Sequence, residues 1–243
     1  MTKVMLASKW HPKNETMFPF WAQPKLDGIR CRIGEDGYAY ARSQKPIRNE
    51  EFQALVRRHK EELAGLDGEL IVGEPTAPNC YTRTMSTVMS YEHDDWREIT
   101  FYVFDYVTEL LSYDYRLDLL LTRELPHFCE ILQPALLRDM KMLEEYEGKK
   151  IVRGHEGVIL RHPKAKYKFG RATPTSGALI KRKNFSDMEG VITEVHEEMQ
   201  NTNEATINAN GHTERSGHKA NLIGKNRLGA VTLRIEWKGE ITE

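Results

Sequence analysis

Residues 21–30 read "WAQPKLDGIR", which sets one lysine, Lys25, between Pro24 and the Asp27-Gly28 pair, with Arg30 five residues on. Proline fixes the backbone torsion just before the lysine, and Asp-Gly is a turn-forming pair. The flanking stretches "FWAQPK", "IRCRI" and "YAYAR" are strand-like, with "GEDG" supplying hairpin turn residues between the last two. Lys25 therefore stands at a turn between strands, where Arg30 flanks the same pocket. A lysine ammonium is inert as a nucleophile until it sheds its proton, and a reference pKa of about 10.4 leaves only about one molecule in 2,500 neutral at pH 7. Apolar burial or cationic neighbours correct this. "ALIKRKN" supplies such neighbours, because Lys181 and Lys183 alternate along a strand and share a face, with Arg182 on the other.

Outward from this stretch, the chain of 243 residues accommodates one large and one small domain, with 40% hydrophobic residues, 29% charged residues and a formal charge of −1. The N-terminus has no signal-like apolar segment and no apolar run reaches about 18 residues, so an intracellular, cytoplasmic protein is expected, with no membrane partner. Cys31, Cys80 and Cys129 are odd in number and widely spaced, which argues against disulfides or a thiolate zinc site. After Asn49, a capping residue, Phe52, Leu55, Val56, His59 and Leu63 follow helical spacing up to Gly65. "GELIV" and "TFYVFDYV" read as buried strands, with "GEPTAPNC" a loop between them. Residues 116–147 read as two helical pieces, Arg116 to Glu124 and Ala135 to Tyr146, and strands return at "GVILR" and "GALIKRK". Near residue 187 the texture changes: "EGVITEV" and "AVTLRIEW" are strands around a polar loop over 200–227.

Lys-x-Asp-Gly-x-Arg resembles the adenylation motif of ATP-dependent DNA ligases, within the covalent nucleotidyltransferases, and further matches follow in that family's order. "ARSQKPIRN" resembles the segment whose arginine, Arg42 here, approaches the nucleotide. "LDGEL" resembles the motif whose glutamate, Glu69, holds the ribose, and "FYVFDYV" the one in which Phe104 stacks on the purine. "HEGVILR" offers Glu156 as the metal-associated carboxylate, and "ALIKRK" offers Lys181 and Lys183. Gln23 sits where the family meets the adenine edge. "KPIRN", "YKFGRAT" and "NTNEATINANGHTERSGHK" are similar to stretches of the small ligases of bacteriophages and large DNA viruses.

The resemblance implies an α+β fold: an adenylation (nucleotidyltransferase) domain over 1–187, built of antiparallel sheets with flanking helices, then an OB-fold β-barrel domain over 188–243. It implies ATP as co-substrate, an AMP adduct on Lys25, Mg²⁺, and nick sealing in duplex DNA by a monomer. Sequence-independent DNA binding needs cations, and residues 161–183 carry Arg161, Lys164, Lys166, Lys168, Arg171, Lys181, Arg182 and Lys183 with no acid. Arg215 and Lys219, with Lys225 and Arg227, extend this charge. On patterning alone Phe104 reads as core and the basic run as a solvated face. The family's final basic motif has no match after "RIEWKGEITE", and three strands are legible where an OB barrel has five, so an abbreviated or truncated C-terminal domain and slow self-adenylation are expected. An mRNA-capping guanylyltransferase, an RNA ligase and a non-catalytic nucleic-acid-binding module are the alternatives.

Overall fold

Short apolar strands spread from Ser8 to Lys183 build two five-stranded sheets, and the lysine turn joins them. The structure is a computed structural model that describes residues 3–183, 190–207, 213–216, 218–237 and 240–242. The chain divides into two compact units, Met1–Asn184 and Phe185–Glu243. The boundary expected near residue 187 lies outside the described residues.

Elements are numbered along the chain. One sheet of the first unit has the order β5 (Ala39–Ala41), β4 (Ile29–Ile33), β6 (Leu66–Val72), β7 (Ile99–Tyr106), β8 (Cys129–Ile131). The other has the order β2 (Ser8–Lys9), β12 (Ile180–Lys183), β10 (Gly157–Arg161), β3 (Phe20–Pro24), β9 (Ala135–Leu137). Most neighbours are antiparallel; β2 with β12 and β7 with β8 are parallel. A short parallel pair, β1 (Met5–Leu6) with β11 (Gly170–Arg171), stands apart from both sheets.

Each sheet has its own core. Against the first pack α1 (Glu50–Arg58), which buries Phe52 and Val56 onto Ile33, Leu66, Leu70 and Phe101, and α3 (Cys80–Met89), which adds Val88. Asn49 starts α1 by accepting a hydrogen bond from the Phe52 backbone at 2.9 Å, a cap worth about 1 kcal/mol. The short α2 (Lys60–Leu63) buries Leu63 in the same core. Against the second sheet packs α5 (Met140–Val152), through Leu143 onto Phe20, Leu137, Val158 and Leu160. The remaining helix, α4 (Tyr113–Leu121), buries Tyr113, Leu117 and Leu120. Among the described residues no helix is long and apolar enough to cross a membrane.

The structure corrects three sequence readings. Ala135 to Leu137 is a strand, paired with β3 through Phe20↔Leu137 and Ala22↔Ala135. The helix expected from Ala135 begins only at Met140, because the Asp139 side chain caps it, accepting from the Met142 backbone at 2.8 Å. Helix α3 was not read from sequence: its Thr and Ser content hides the apolar face, and Thr84 instead binds the Val72 backbone of β6 at 3.0 Å. In the second unit, residues 200–227 are not one loop. The described residues hold five strands: β13 (Gly190–Asn201), β14 (Ala205–Ile207), β15 (Thr213–Arg215), β16 (Leu222–Trp237) and β17 (Glu240–Thr242). They form sheets ordered β13-β16-β17 and β14-β15. Polar residues persist there because ladder hydrogen bonds hold the long β13/β16 ribbon while most of its side chains face solvent.

Candidate active site

Strand register brings the lysine to its partners. In the second sheet Val158 stands opposite Pro24 and opposite Arg182, and the Lys25 backbone donates to the Gly157 carbonyl at 2.9 Å. Position 25 therefore lies beside positions 156 and 183, although 131 residues separate Lys25 from Glu156. Gly157 is required at this crossing: its φ is +146°, and an added Cβ falls on the Arg182 carbonyl oxygen. Gly28 has a comparable role on the other side of the turn, where a Cβ falls on the Leu70 carbonyl oxygen and the Ile71 side chain. The turn after Lys25 thus lies directly against β6.

The Lys25 ammonium forms an ion pair with Glu156 Oε2. Lys183 Nζ reaches the same carboxylate at 3.0 Å from Oε1 and 2.9 Å from Oε2. Glu156 is 33% exposed; its burial works to raise its pKa, but hydrogen bonds from Lys25 and Lys183 outweigh that and hold it below the ordinary carboxylate value. Lys181, on the same strand face as Lys183, lines the cleft, and burial followed by repulsion from Lys183 and Lys25 lowers its pKa. Arg182 faces the other way, 3.1 Å from Glu147 of α5 and stacked over Trp10.

Opposite stand residues of the first sheet. Arg30 pairs in register with Glu69. Arg30 forks onto Asp67 at 2.7 and 2.6 Å, which more than offsets its desolvation and raises its pKa. Asp67 is fully buried and also accepts from the Tyr167 hydroxyl at 2.7 Å. Burial raises Glu69 to about 7 despite attraction to Arg30 and Lys25. A register shift between Asp67 and Gly68 leaves Phe104 opposite no β6 residue, the bulge device that re-aims a side chain. Its ring lies beneath the Arg30 and Arg161 guanidinium carbons at 4.6 and 5.0 Å and is 7% exposed. Phe104 thus lines the cleft with two guanidiniums close to its ring.

Lys25, Lys181, Arg30, Glu69 and Phe104 line one cleft of about 210 Å³, together with Gln23, Arg42, Leu132, Ile159, Arg161 and Arg171. That is many times the roughly 10–15 Å³ a single water needs, so the space suits a ligand. Arg42 and Arg171 are its exposed members, and Arg171 donates to the Ala7 carbonyl at 3.0 Å. Among the described residues no group of three or more His, Cys, Asp or Glu side chains is placed to hold a metal ion.

The basic run separates into two kinds of residue. Lys164, Lys166 and Lys168 are exposed. Arg161 is not: it is 2% exposed, with Nη1 donating to Gln23 Oε1 at 2.5 Å and Nε 3.5 Å from Asp105. Contrary to the expectation of a DNA contact, Arg161 is turned inward from β10 and is not open to a DNA backbone. In the second unit Arg215 and Lys219 are exposed, Arg215 donating to the Asn203 carbonyl, while Lys225 and Arg227 pair with Glu198. Sequence reasoning missed Asp67, Asp105, Arg116 and Tyr167. The available signal was an acid inside an apolar strand: "VFDYV" contains Asp105, which binds the fully buried Arg116 at 2.6 Å.

A family model described as "ATP dependent DNA ligase domain" matches residues 4–183, the span that carries this cleft. The chain belongs to the ATP-dependent DNA ligases. Solved structures agree. The Chlorella virus DNA ligase-adenylate is 27% identical with a TM-score of 0.64, over 100% of this chain and 83% of that one. A structure from work on Lig E DNA ligases, 23% identical with a TM-score of 0.66 over 88% of this chain and 83% of that one, shares the fold, as does the ATP complex of the bacteriophage T7 ligase at 14%, 0.55, 99% and 80%. Comparison with curated proteins finds no significant match. The ligase is thus an α+β enzyme, with an adenylation-type domain followed by an OB-fold-like region.

Proposed function

We propose that this ligase seals nicks in duplex DNA through an AMP adduct on Lys25. The observation that carries the reading is the meeting of Lys25, Lys183 and Glu156 at one carboxylate, with Lys181 in the same cleft. In the first step Lys25 loses a proton and its nitrogen bonds to the α-phosphorus of ATP, while the bond to pyrophosphate breaks. Lys181 and Lys183 offset negative charge as it builds on the phosphate oxygens. AMP then passes to the 5′-phosphate of a nick, and the adjacent 3′-hydroxyl displaces it. Glu69 holds the ribose, Arg42 and Arg30 flank the nucleotide, and Gln23 and Phe104 border the base.

A hard divalent cation such as Mg²⁺ needs few protein oxygens when it takes the rest from phosphates and water. Glu156 fits that demand as the carboxylate beside the nucleophile. When bound, the cation withdraws charge from the phosphates. The exposed Lys164, Lys166 and Lys168, with Arg171, Arg215 and Lys219, supply the non-specific backbone contacts.

The test uses α-labelled ATP or GTP and a nicked duplex. The expected result is a covalent label from ATP alone, lost in Lys25→Ala, while Lys25→Ala still joins a nick that already carries AMP on its 5′-phosphate. Label from GTP alone points to a capping-type enzyme, and no label from either nucleotide sinks the adduct.

A further inference from the structure

Gln23 is held by two partners that cannot exchange. Its Nε2 donates to the Leu132 carbonyl, and its Oε1 accepts from Arg161 Nη1 at 2.5 Å. A guanidinium has no acceptor and a carbonyl has no donor. Flipping the amide therefore sets N–H against N–H at one end and oxygen against oxygen at the other, at a site where the residue is 2% exposed. The amide keeps one further lone pair and one further N–H, in a fixed order. Gln23 lines the cleft two residues from Lys25, with Ile159 opposite it in register.

Arg161 is fixed in turn. Asp105 lies 3.5 Å from its Nε, and its guanidinium carbon sits over the rings of Phe104 at 5.0 Å and Tyr113 at 5.1 Å. Arg116 completes the cluster by holding both Asp105 oxygens, at 2.6 and 3.2 Å. The Nε of Arg161 is buried without a hydrogen bond. The bond from Nη1 to Gln23 is thus directional, and the contacts with Asp105, Phe104 and Tyr113 set where the guanidinium stands.

We infer that Arg161 is a positioning residue for base selection: by holding the Gln23 amide in one orientation, it decides which purine edge the cleft accepts. A 6-amino purine presents a donor beside an acceptor at positions 6 and 1, and a 6-oxo purine presents the reverse. An amide of fixed order pairs with one of these, whereas an amide free to flip pairs with either. This rests on the proposed nucleotide chemistry at Lys25 and adds to it a residue that acts through Gln23.

The experiment measures kcat/KM for covalent labelling by ATP and by inosine triphosphate, with the thermal unfolding midpoint as the control for folding. Wild type should favour ATP. In Arg161→Met the ATP-to-inosine ratio should fall at least tenfold, mainly through KM; Arg161→Lys, which keeps a donor, should restore most of the ratio. Gln23→Leu should lose the ratio alone, and adding Arg161→Met should lower it no further. Should Arg161→Met fail to fold, Gln23→Leu decides. An unchanged ratio in Gln23→Leu or in a folded Arg161→Met overturns the inference while leaving the Lys25 adduct intact. Absence of any label in wild type overturns both.

Discussion

Glu156 carries two ammonium groups on one carboxylate, with a third lysine in the same cleft. Such a site is poised for a polyanion, because an arriving phosphate meets more positive charge than one carboxylate offsets. Glu69 tells a second story at this scale. Its pKa rises from 4.5 to about 7, with burial as the leading cause. The folded chain therefore keeps a proton that the unfolded chain has lost across that interval. The stability contributed by protonated Glu69 is complete below about pH 4.5 and is lost as pH rises to about 7. Glu69→Gln, neutral throughout, should be more stable than wild type by an amount that grows over that window to on the order of 2 kcal/mol. Unfolding measured at half-unit pH steps checks this; a difference flat in pH rejects it.

At the scale of elements, the cleft depends on strands that pair over long sequence distances and on buried ions that lock them. Asp105 of β7 holds Arg116 of α4 at 2.6 Å and lies 3.5 Å from Arg161 of β10, so one carboxylate ties a helix and both sheets. Removing it leaves two guanidiniums buried without an anion. Asp105→Ala should destabilise the protein by about 3–5 kcal/mol, read as a lower midpoint of the near-ultraviolet thermal transition. Arg116→Met combined with Asp105→Ala should cost less than the sum of the single changes, since each removes the other's penalty. Arg116 also donates to the Ala165 carbonyl at 3.1 Å, which fixes the loop bearing Lys164, Lys166 and Lys168.

Across the whole molecule, a formal charge of −1 conceals a local excess of cations. Three exposed lysines in five residues, Lys164, Lys166 and Lys168, have no acid between them. Each lysine that neutralises a duplex phosphate contributes about 0.9 to the slope of log K against log salt. Replacing all three by serine should reduce that slope by up to about 2.7, with the ATP label on Lys25 unchanged. Fluorescence anisotropy on a nicked duplex over a salt series provides the measurement. A slope equal to wild type places the DNA elsewhere.

How much of this was legible varies residue by residue. Lys25, Glu69, Glu156, Lys181 and Lys183 follow from local spacing and resemblance; Lys25, Glu69 and Lys181 line one cleft, and Glu156 and Lys183 join it through ion pairs at Glu156. Strands flanked by turn residues were legible for the same reason, since alternation and turn chemistry act over a few residues. The strand at Ala135 to Leu137 was not, because it exists only through its ladder with Phe20–Ala22. Nor was the inward turn of Arg161, the bulge that aims Phe104, or the grip of Asp67 on Arg30. Local chemistry alone determined which residues carry charge and where the chain turns. Tertiary structure decided which of those charges are buried and paired, because burial is a property of register and packing between segments far apart in the chain.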